Sequence, residues 1–223
     1  MTEFLTQNQI NKKDPSKPWR GYKVIRCELC NLPKISCICS KIPKIDSKTN
    51  FILLMNEKEE QKPTNTGRLL TDTMDNSKLF IWSRVEPNKD LIELLENPKY
   101  DPYIVFPDDT EELKQRVKPF EIKSDKEPLF ILLDGTWKQA RKIYNKSEYL
   151  QKLPILPLRL EKKSEYKLRR ASEENHLCTV ETAIEILNIA GEPEQSKQLY
   201  DYFKIFTLHY IVGRSNNKHL LDE

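Results

Sequence analysis

The sequence lacks any long run of apolar residues. Its apolar runs are short, such as the five residues 51–55, whereas a helix that crosses a bilayer needs roughly 20. Residues 1–11 also lack the apolar stretch of a secretory signal peptide. These absences argue against membrane-spanning and secreted classes, and we expect a soluble, cytoplasmic protein with no membrane partner.

Internal repeats and long low-complexity tracts are also absent, which argues against a repeat architecture. At 223 residues, of which 38% are apolar, the chain is long enough to bury one hydrophobic core. We interpret residues 1–18, which are polar and aperiodic, as a mobile tail. Residues 19–44 are interpreted as a compact cysteine-rich unit, and residues 45–223 as an α/β domain.

The charges nearly balance, to a formal net charge of +3, but they are unevenly spread. Residues 1–44 carry nine basic and three acidic side chains, and residues 159–170 carry six basic and two acidic ones. Such clusters favour a polyanionic partner, because each Lys or Arg near a phosphate releases a counterion. An ordinary solvated surface explains the same clusters, so charge alone leaves nucleic-acid binding open.

Short apolar runs alternate with helical patterns, which predicts an α/β fold with a mostly parallel sheet and flanking helices. The predicted strands are 51–55, 79–82, 103–106, 129–133 and 153–158. The predicted helices are 66–73, 89–96, 110–117, 136–149, 180–190 and 195–212. Polar residues follow three strands, at Asn56, Asp108 and Asp134. Ligands bind at this carboxyl edge in open α/β sheets.

Four of the five cysteines lie close together, as Cys27-x-x-Cys30 followed by Cys37-x-Cys39. Two such pairs can present four thiolates to one tetrahedral ion, and clustered cysteines in a reducing compartment favour metal over disulfides. We expect zinc, with an iron–sulfur cluster or four unligated thiols as the alternatives. Four cysteine ligands leave no position for water, so the ion is expected to be structural. Cys178 stands apart and is interpreted as a helix-packing residue.

The most informative stretch is a predicted buried strand that runs into Asp134-Gly135-Thr136-Trp137 and then into a predicted helix. Gly135 permits a tight turn or the close approach of a ligand, and Thr136 can cap the helix. A carboxylate at the end of a buried strand is a candidate base or ligand contact. A helix cap and a core tryptophan explain the same residues without any chemistry.

Two further polar blocks are candidates for binding. The block Asn65-Thr66-Gly67-Arg68 has small polar residues and a planar guanidinium, which suits a carboxylate or a phosphate. A helix cap explains most of this block as well. The other block combines the basic run of residues 166–170 with Thr179-x-Glu181, which has the form of a helix start with an acidic first turn.

Together these blocks resemble the DTW-domain family, the tRNA-uridine aminocarboxypropyltransferases. The four blocks occur in the family's order over about residues 27–190. The resemblance implies a fold similar to the SPOUT methyltransferases, S-adenosylmethionine (SAM) as donor, and N3 of a tRNA uridine as acceptor. It implies methylthioadenosine as the by-product, and it leaves monomer and homodimer open. Asn56 departs from the histidine that is frequent in the family at this position.

The resemblance and the chemistry above assign expected roles to individual residues. The catalytic candidates are Asp134, as base or orienter, with Thr136 and Trp137. The candidates for binding SAM are Asn65, Thr66, Gly67, Arg68, Gly135, Thr179 and Glu181. The candidates for binding tRNA are Lys138, Lys167, Arg169 and Arg170, and the zinc candidates are Cys27, Cys30, Cys37 and Cys39.

Two other functions stay open at this point. One is a SPOUT-like, SAM-dependent RNA methyltransferase, which would add a methyl group and release S-adenosylhomocysteine. The other is a non-catalytic zinc-ribbon module that binds RNA and has no affinity for SAM. The mass of the product separates the first from the aminocarboxypropyl transfer, and SAM binding separates the second.

Overall fold

The structure, a computed structural model, describes residues 24–60, 62–158 and 177–215. These residues form two compact units, one of residues 24–42 with 204–215 and the other of residues 43–60, 62–158 and 177–203. The predicted tail, residues 1–18, lies outside the described residues. The boundary predicted at residue 44 stays a prediction.

The larger unit contains a five-stranded sheet. Its strands are β1 Asn50–Met55, β2 Ser77–Ile81, β3 Tyr100–Val105, β4 Glu127–Asp134 and β5 Ile155–Leu156. All neighbours are parallel, in the order β2-β1-β4-β3-β5. The predicted α/β class with a parallel sheet is therefore confirmed, whereas the likeness to SPOUT proteins stays a prediction.

The helices of the described residues follow in chain order. They are α1 Glu57–Glu60, α2 Arg68–Thr73, α3 Lys89–Glu96, α4 Glu111–Lys114, α5 Trp137–Asn145, α6 Glu148–Gln151, α7 Thr179–Ile189 and α8 Pro193–Ser215. Two short 3-10 helices, Lys34–Ser36 and Cys39–Lys41, lie in the smaller unit.

Burial explains the sequence of the central strands. Every residue of β1 is buried, which is why its sequence is an unbroken apolar run after Asn50. Ile52 and Leu54 of this strand share one hydrophobic cluster with Ile131 of β4. Leu91 of α3 and Ile143 of α5 belong to the same cluster. Helices α3 and α5 thus bury apolar side chains against the same face of the sheet.

The single helix predicted over residues 136–149 is wrong, because the structure divides it into α5 and α6. The break lies at Ser147, which is buried and has φ −128° and ψ 89°. Its hydroxyl accepts a hydrogen bond from Trp82 Nε1 at 2.9 Å. This contact from a distant strand end satisfies a buried indole N–H, and helical periodicity does not reveal it.

Two other predicted elements are shorter in the structure. The strand predicted over residues 153–158 is reduced to β5, whose flanking residues Pro154 and Pro157 have no N–H to donate to a neighbouring strand. The helix predicted over residues 110–117 ends at Lys114. Val117 instead forms a parallel bridge with Ile155.

Among the described residues, each helix is too short or too polar to reach across the apolar interior of a membrane.

The position of β1 in the sheet makes its side chains sensitive to truncation. Leu53 is 0% exposed, whereas Ile81 at the end of the edge strand β2 is 38% exposed. We expect Leu53→Ala to lower the free energy of unfolding by about 2–5 kcal/mol, because it leaves a cavity. Ile81→Ala should change it by only about 0.5 kcal/mol. Denaturant unfolding followed by circular dichroism measures both, and equal losses would contradict this sheet order.

Candidate functional site

The carboxylate of Asp134 lies at the end of β4 and is nearly inaccessible, since the residue is 3% exposed. Its Oδ1 accepts a hydrogen bond from Thr179 Oγ1 at 2.6 Å. Its Oδ2 accepts a hydrogen bond from Asn65 Nδ2, also at 2.6 Å. Thr179 is the first residue of α7, and Asn65 lies in the loop before α2. One carboxylate therefore joins three segments that are distant in sequence.

The loop before α2 packs closely against this carboxylate. Asn65 and Thr66 are buried, and Asn65 Oδ1 accepts a hydrogen bond from the N–H of Arg68 at 3.0 Å. A Cβ atom added at Gly67 would lie 2.6 Å from Asp134 Oδ2. Only glycine lets the backbone approach this closely, so the structure gives Gly67 a packing role beside Asp134.

The start of α7 is held by a reciprocal pair of hydrogen bonds. The carboxylate of Glu181 accepts from the N–H of Cys178 at 2.8 Å, and the Cys178 side chain accepts from the Glu181 N–H. This capping box confirms the helix start predicted around Thr179 and Glu181. Cys178, which the sequence suggested as a helix-packing residue, is the N-cap residue of α7. Burial raises the pKa of the Cys178 thiol well above its usual range.

The turn after Asp134 orients α5. Gly135 has φ 154°, and Thr136 is the N-cap of the helix. The hydroxyl of Thr136 accepts from the Gln139 N–H at 3.3 Å, and Gln139 Oε1 accepts from the Thr136 N–H at 2.7 Å. Trp137 packs edge-on against Phe106, with ring centroids 6.0 Å apart. Thr136 and Trp137 thus have structural roles here, and their predicted chemical roles stay predictions.

Several of the candidates for catalysis and for binding SAM keep solvent-accessible surface. Thr136 is exposed, and Gly135, Trp137, Thr179 and Arg68 are partly exposed. The guanidinium of Arg68 lies 3.4 Å from the carboxylate of Asp72. Burial raises the pKa of Asp72, and the charge of Arg68 lowers it in part. These five residues have polar or aromatic surface that is accessible to a ligand. Asn65, Thr66, Gly67 and Glu181 are buried.

Sequence reasoning missed one buried carboxylate near the candidate site. Glu59 of α1 is 0% exposed and forms an ion pair with Lys62. Its backbone carbonyl lies 3.4 Å from Asn65 Nδ2, the same nitrogen that donates to Asp134. In the sequence Glu59 is one of three glutamates among four residues, so no pattern marks it as the buried one.

Three of the four residues predicted to bind tRNA, Lys167, Arg169 and Arg170, lie outside the described residues. The fourth, Lys138, is exposed in the first turn of α5. Its ε-ammonium group is therefore accessible beside the Asp134–Trp137 turn.

A wide cleft of about 1220 Å³ lies at the opposite edge of the sheet, where the strands begin. Its walls carry both signs of charge, including Lys99 and Glu127, whose side chains form an ion pair at 2.9 Å. Parallel α/β sheets bind ligands at the other edge, where the strands end. We therefore place the candidate site at Asp134 and not in this cleft.

The four clustered cysteines lie in the smaller unit and come together as a group that could hold a metal ion. Their sulfur atoms all lie within 4.8 Å of one another. The Sγ atoms of Cys27 and Cys39 are 3.5 Å apart, and those of Cys30 and Cys37 are 3.7 Å apart. A tetrahedral ion with metal–sulfur bonds of about 2.3 Å holds its sulfurs about 3.8 Å apart. The spacing therefore fits a single ion.

Backbone hydrogen bonds close the turn between Cys27 and Cys30 and reach the Cys27 thiol. Asn31, directly after Cys30, has φ 55°, and its N–H donates to the carbonyl of Cys27 at 2.9 Å. Burial raises the pKa of Cys27, but backbone N–H groups and neighbouring thiols more than offset this and lower it to about 6. Burial raises the pKa of Cys30 and of Cys39, so the four thiols differ in how readily they give the thiolate form that binds metal.

The hydrogen bonds of Asp134 predict a graded loss of stability. In Asp134→Ala, Asn65 Nδ2 and the Thr179 hydroxyl lose their closest acceptor, and we expect a loss of about 1–3 kcal/mol in the free energy of unfolding. Asp134→Asn keeps one acceptor oxygen and can donate to the Thr179 hydroxyl, so it should lose less. Denaturant unfolding compares the two variants, and equal stability of both with the unsubstituted protein would refute these bonds.

The cysteine group predicts one bound metal ion per chain. Replacing Cys30 or Cys37 by Ser should abolish that content, because a hydroxyl is a poor ligand for a soft site. Cys178→Ser is the matched control and should keep the ion, since Cys178 is not part of the cysteine group. Elemental analysis of the purified variants measures the content, and retention of the ion in Cys30→Ser would contradict this site.

Comparisons with known proteins support the family resemblance that the ordered sequence blocks indicated. A family model described as DTW domain matches residues 24–211. A Drosophila melanogaster protein named tRNA-uridine aminocarboxypropyltransferase 2 is 26% identical over 184 residues, which are 78% of this chain and 69% of that protein. A Macaca fascicularis protein of the same name is 26% identical over 168 residues, 73% of this chain and 55% of that protein. No solved structure matches the chain. Because the family model covers residues 24–211 of the 223 in the chain, this protein belongs to the DTW-domain family.

Proposed function

We propose that this chain transfers the 3-amino-3-carboxypropyl group of SAM to N3 of a uridine in tRNA. The observation that carries the proposal is the cluster at Asp134, where the loop of Asn65 and Gly67, the end of β4 and the start of α7 meet. The cluster lies at the carboxyl edge of a parallel sheet, where α/β proteins bind ligands. The names of the two relatives support an aminocarboxypropyl transfer to a tRNA uridine.

The reaction is a single displacement. Uridine N3 gives its proton to a water molecule and forms a bond to the carbon of the aminocarboxypropyl group that is attached to the sulfonium. That carbon–sulfur bond breaks, and its electron pair stays on sulfur in methylthioadenosine. Every carbon on the sulfonium is activated, so the protein's main task is to present this carbon, and not the methyl group, to N3.

In this proposal Asp134 acts by orienting its neighbours. Both of its oxygens already accept short hydrogen bonds, from Asn65 Nδ2 and Thr179 Oγ1, and the residue is 3% exposed. A carboxylate with these partners holds the loop before α2 and the start of α7 at a fixed separation. Asp134 is thus a positioning residue whose loss would misplace the groups around the reacting atoms.

The partly exposed residues at this edge are the proposed contacts for SAM. A planar guanidinium such as that of Arg68 suits the carboxylate of the aminocarboxypropyl group. Gly135 and Thr136 lie on the turn between β4 and α5, where the backbone comes nearest to a ligand placed at the strand end. Trp137 supports this turn through Phe106 and presents part of its ring to the RNA base.

We propose zinc as the ion of the cysteine group. Sulfur atoms within 4.8 Å of one another fit one ion, whereas a cluster of several iron ions would hold them further apart. Zinc favours four thiolates in a closed tetrahedral site and brings no redox chemistry. Its part would be to stabilise the smaller unit. A colourless protein with zinc in the elemental analysis agrees with this assignment, and visible absorption bands with iron would contradict it.

The proposed reaction is tested by incubating purified protein with SAM and unmodified tRNA and analysing the nucleosides by mass spectrometry. We expect aminocarboxypropyluridine together with methylthioadenosine. Methyluridine with S-adenosylhomocysteine would overturn the choice of transferred group. A protein that binds a panel of tRNAs but neither binds SAM nor yields a product would instead be a binding module.

The proposed role of Asp134 is tested by comparing two variants in the same assay. Asp134→Ala removes the hydrogen bonds and should lower turnover more than a hundredfold, whereas Asp134→Asn should lower it only about tenfold. Loss of a general base costs about 10²–10⁴ in rate. An equal loss of 10² or more in both variants, with a pH profile altered in Asp134→Asn, would make Asp134 the base.

A further inference from the structure

Helix α5 and its C-cap residue carry three exposed lysines, Lys138 and Lys142 in the helix and Lys146 at the cap, which we call the lysine stripe. They are four residues apart, so they follow one side of the helix. At about 1.5 Å rise per residue, the stripe is about 12 Å long. Lys138 comes four residues after Asp134. The stripe therefore begins beside the candidate site and leads away from it.

The lysine stripe is not neutralised within the part of the chain that the structure describes. Residues 135–147 contain four basic side chains and no Asp or Glu. Arg141, the fourth basic residue, forms an ion pair with Asp109. Among the described residues, no carboxylate lies within ion-pair distance of the stripe lysines.

Some exposed lysines elsewhere in the larger unit are neutralised by ion pairs. Each of three such lysines has a carboxylate partner at 3.0 Å or less. The pairs are Lys44 with Asp75, Lys114 with Glu111 and Lys197 with Asp201. Other exposed lysines of this unit, such as Lys48, Lys78 and Lys89, form no ion pair among the described residues, so the stripe is set apart by its row of three lysines beside the candidate site.

The stripe is also unfavourable for the isolated helix. Lysines four residues apart on a helix repel each other. Lys138 stands in the first turn, where the helix dipole already places positive charge. A bound polyanion would relieve both effects.

Aromatic contacts hold the stripe in place. The ammonium of Lys142 lies 5.7 Å from the centroid of the Trp82 ring, and the indole N–H of Trp82 donates to Ser147. On the neighbouring side of the helix, Arg141 lies 5.9 Å from the ring centroids of Phe106 and Trp137. These contacts fix the rotation of α5, so the stripe faces solvent in a defined direction.

We infer that the lysine stripe binds the phosphate backbone of the RNA substrate and directs the strand to the Asp134 site. This inference rests on the proposed function for the identity of the RNA. Each strand of a double helix carries one phosphate per about 3.4 Å of axis, so a row of about 12 Å faces three or four phosphates. Such contacts position the RNA without reading its sequence.

The test compares a triple variant, Lys138→Ala, Lys142→Ala and Lys146→Ala, with a matched control, Lys44→Ala, Lys114→Ala and Lys197→Ala. Alanine preserves helix propensity, and circular dichroism confirms that both fold. Fluorescence anisotropy with labelled, unmodified tRNA, without SAM, gives Kd over a range of salt concentrations. We expect the stripe variant to bind at least tenfold more weakly. Its slope of log affinity against log salt should be lower by about 2–3, and the control should match the unsubstituted protein.

The outcomes separate this inference from the proposed function. The inference is overturned if the stripe variant binds tRNA with an unchanged Kd and salt slope, if the control loses as much as the stripe variant, or if the unsubstituted protein does not bind tRNA. Binding that depends on the stripe, without any modified nucleoside, would support the stripe and reject the proposed reaction. In an active protein, the stripe variant should raise KM for tRNA and leave kcat unchanged.

Discussion

The candidate site depends on the burial of one carboxylate. Asp134 ends a central strand, and water is nearly excluded from it, so its charge must be compensated by hydrogen-bond donors of the protein. Asn65 Nδ2 and Thr179 Oγ1 supply these donors at 2.6 Å each. Because both donors come from other segments, the charge of Asp134 determines where the loop before α2 and the start of α7 lie. The absence of a side chain at Gly67 lets the loop come close enough.

This constraint separates the residues of the site into two groups. Asn65, Gly67 and Glu181 are used within the protein, in hydrogen bonds, close packing or helix capping. Thr136 and Trp137 keep accessible surface at the strand ends and are followed directly by the lysine stripe. The buried group gives the accessible group a fixed geometry, which a displacement reaction between two bound substrates requires.

Much of this could be predicted from the sequence, because periodicity and spacing are local properties. The unbroken apolar run of β1, the helix at residues 89–96 and the cysteine pairs were all recognisable in this way. Two other features depend on the folded chain and have no local sequence pattern. They are the hydrogen bond from Trp82 to Ser147, at the break between α5 and α6, and the burial of Glu59. The link between Asn65 and Asp134 spans 69 residues, so only the family resemblance had placed both in one site.

We propose that SAM binds where the strands end, beside Asp134, and not in the cleft where they begin. A crystal structure of the protein with SAM tests it most directly. We expect the sulfonium to lie near the Gly135–Trp137 turn, with the aminocarboxypropyl carboxylate within reach of Arg68. SAM bound instead in the cleft lined by Lys99 and Glu127 would contradict a SAM site beside Asp134. The site would then lie at the opposite edge of the sheet.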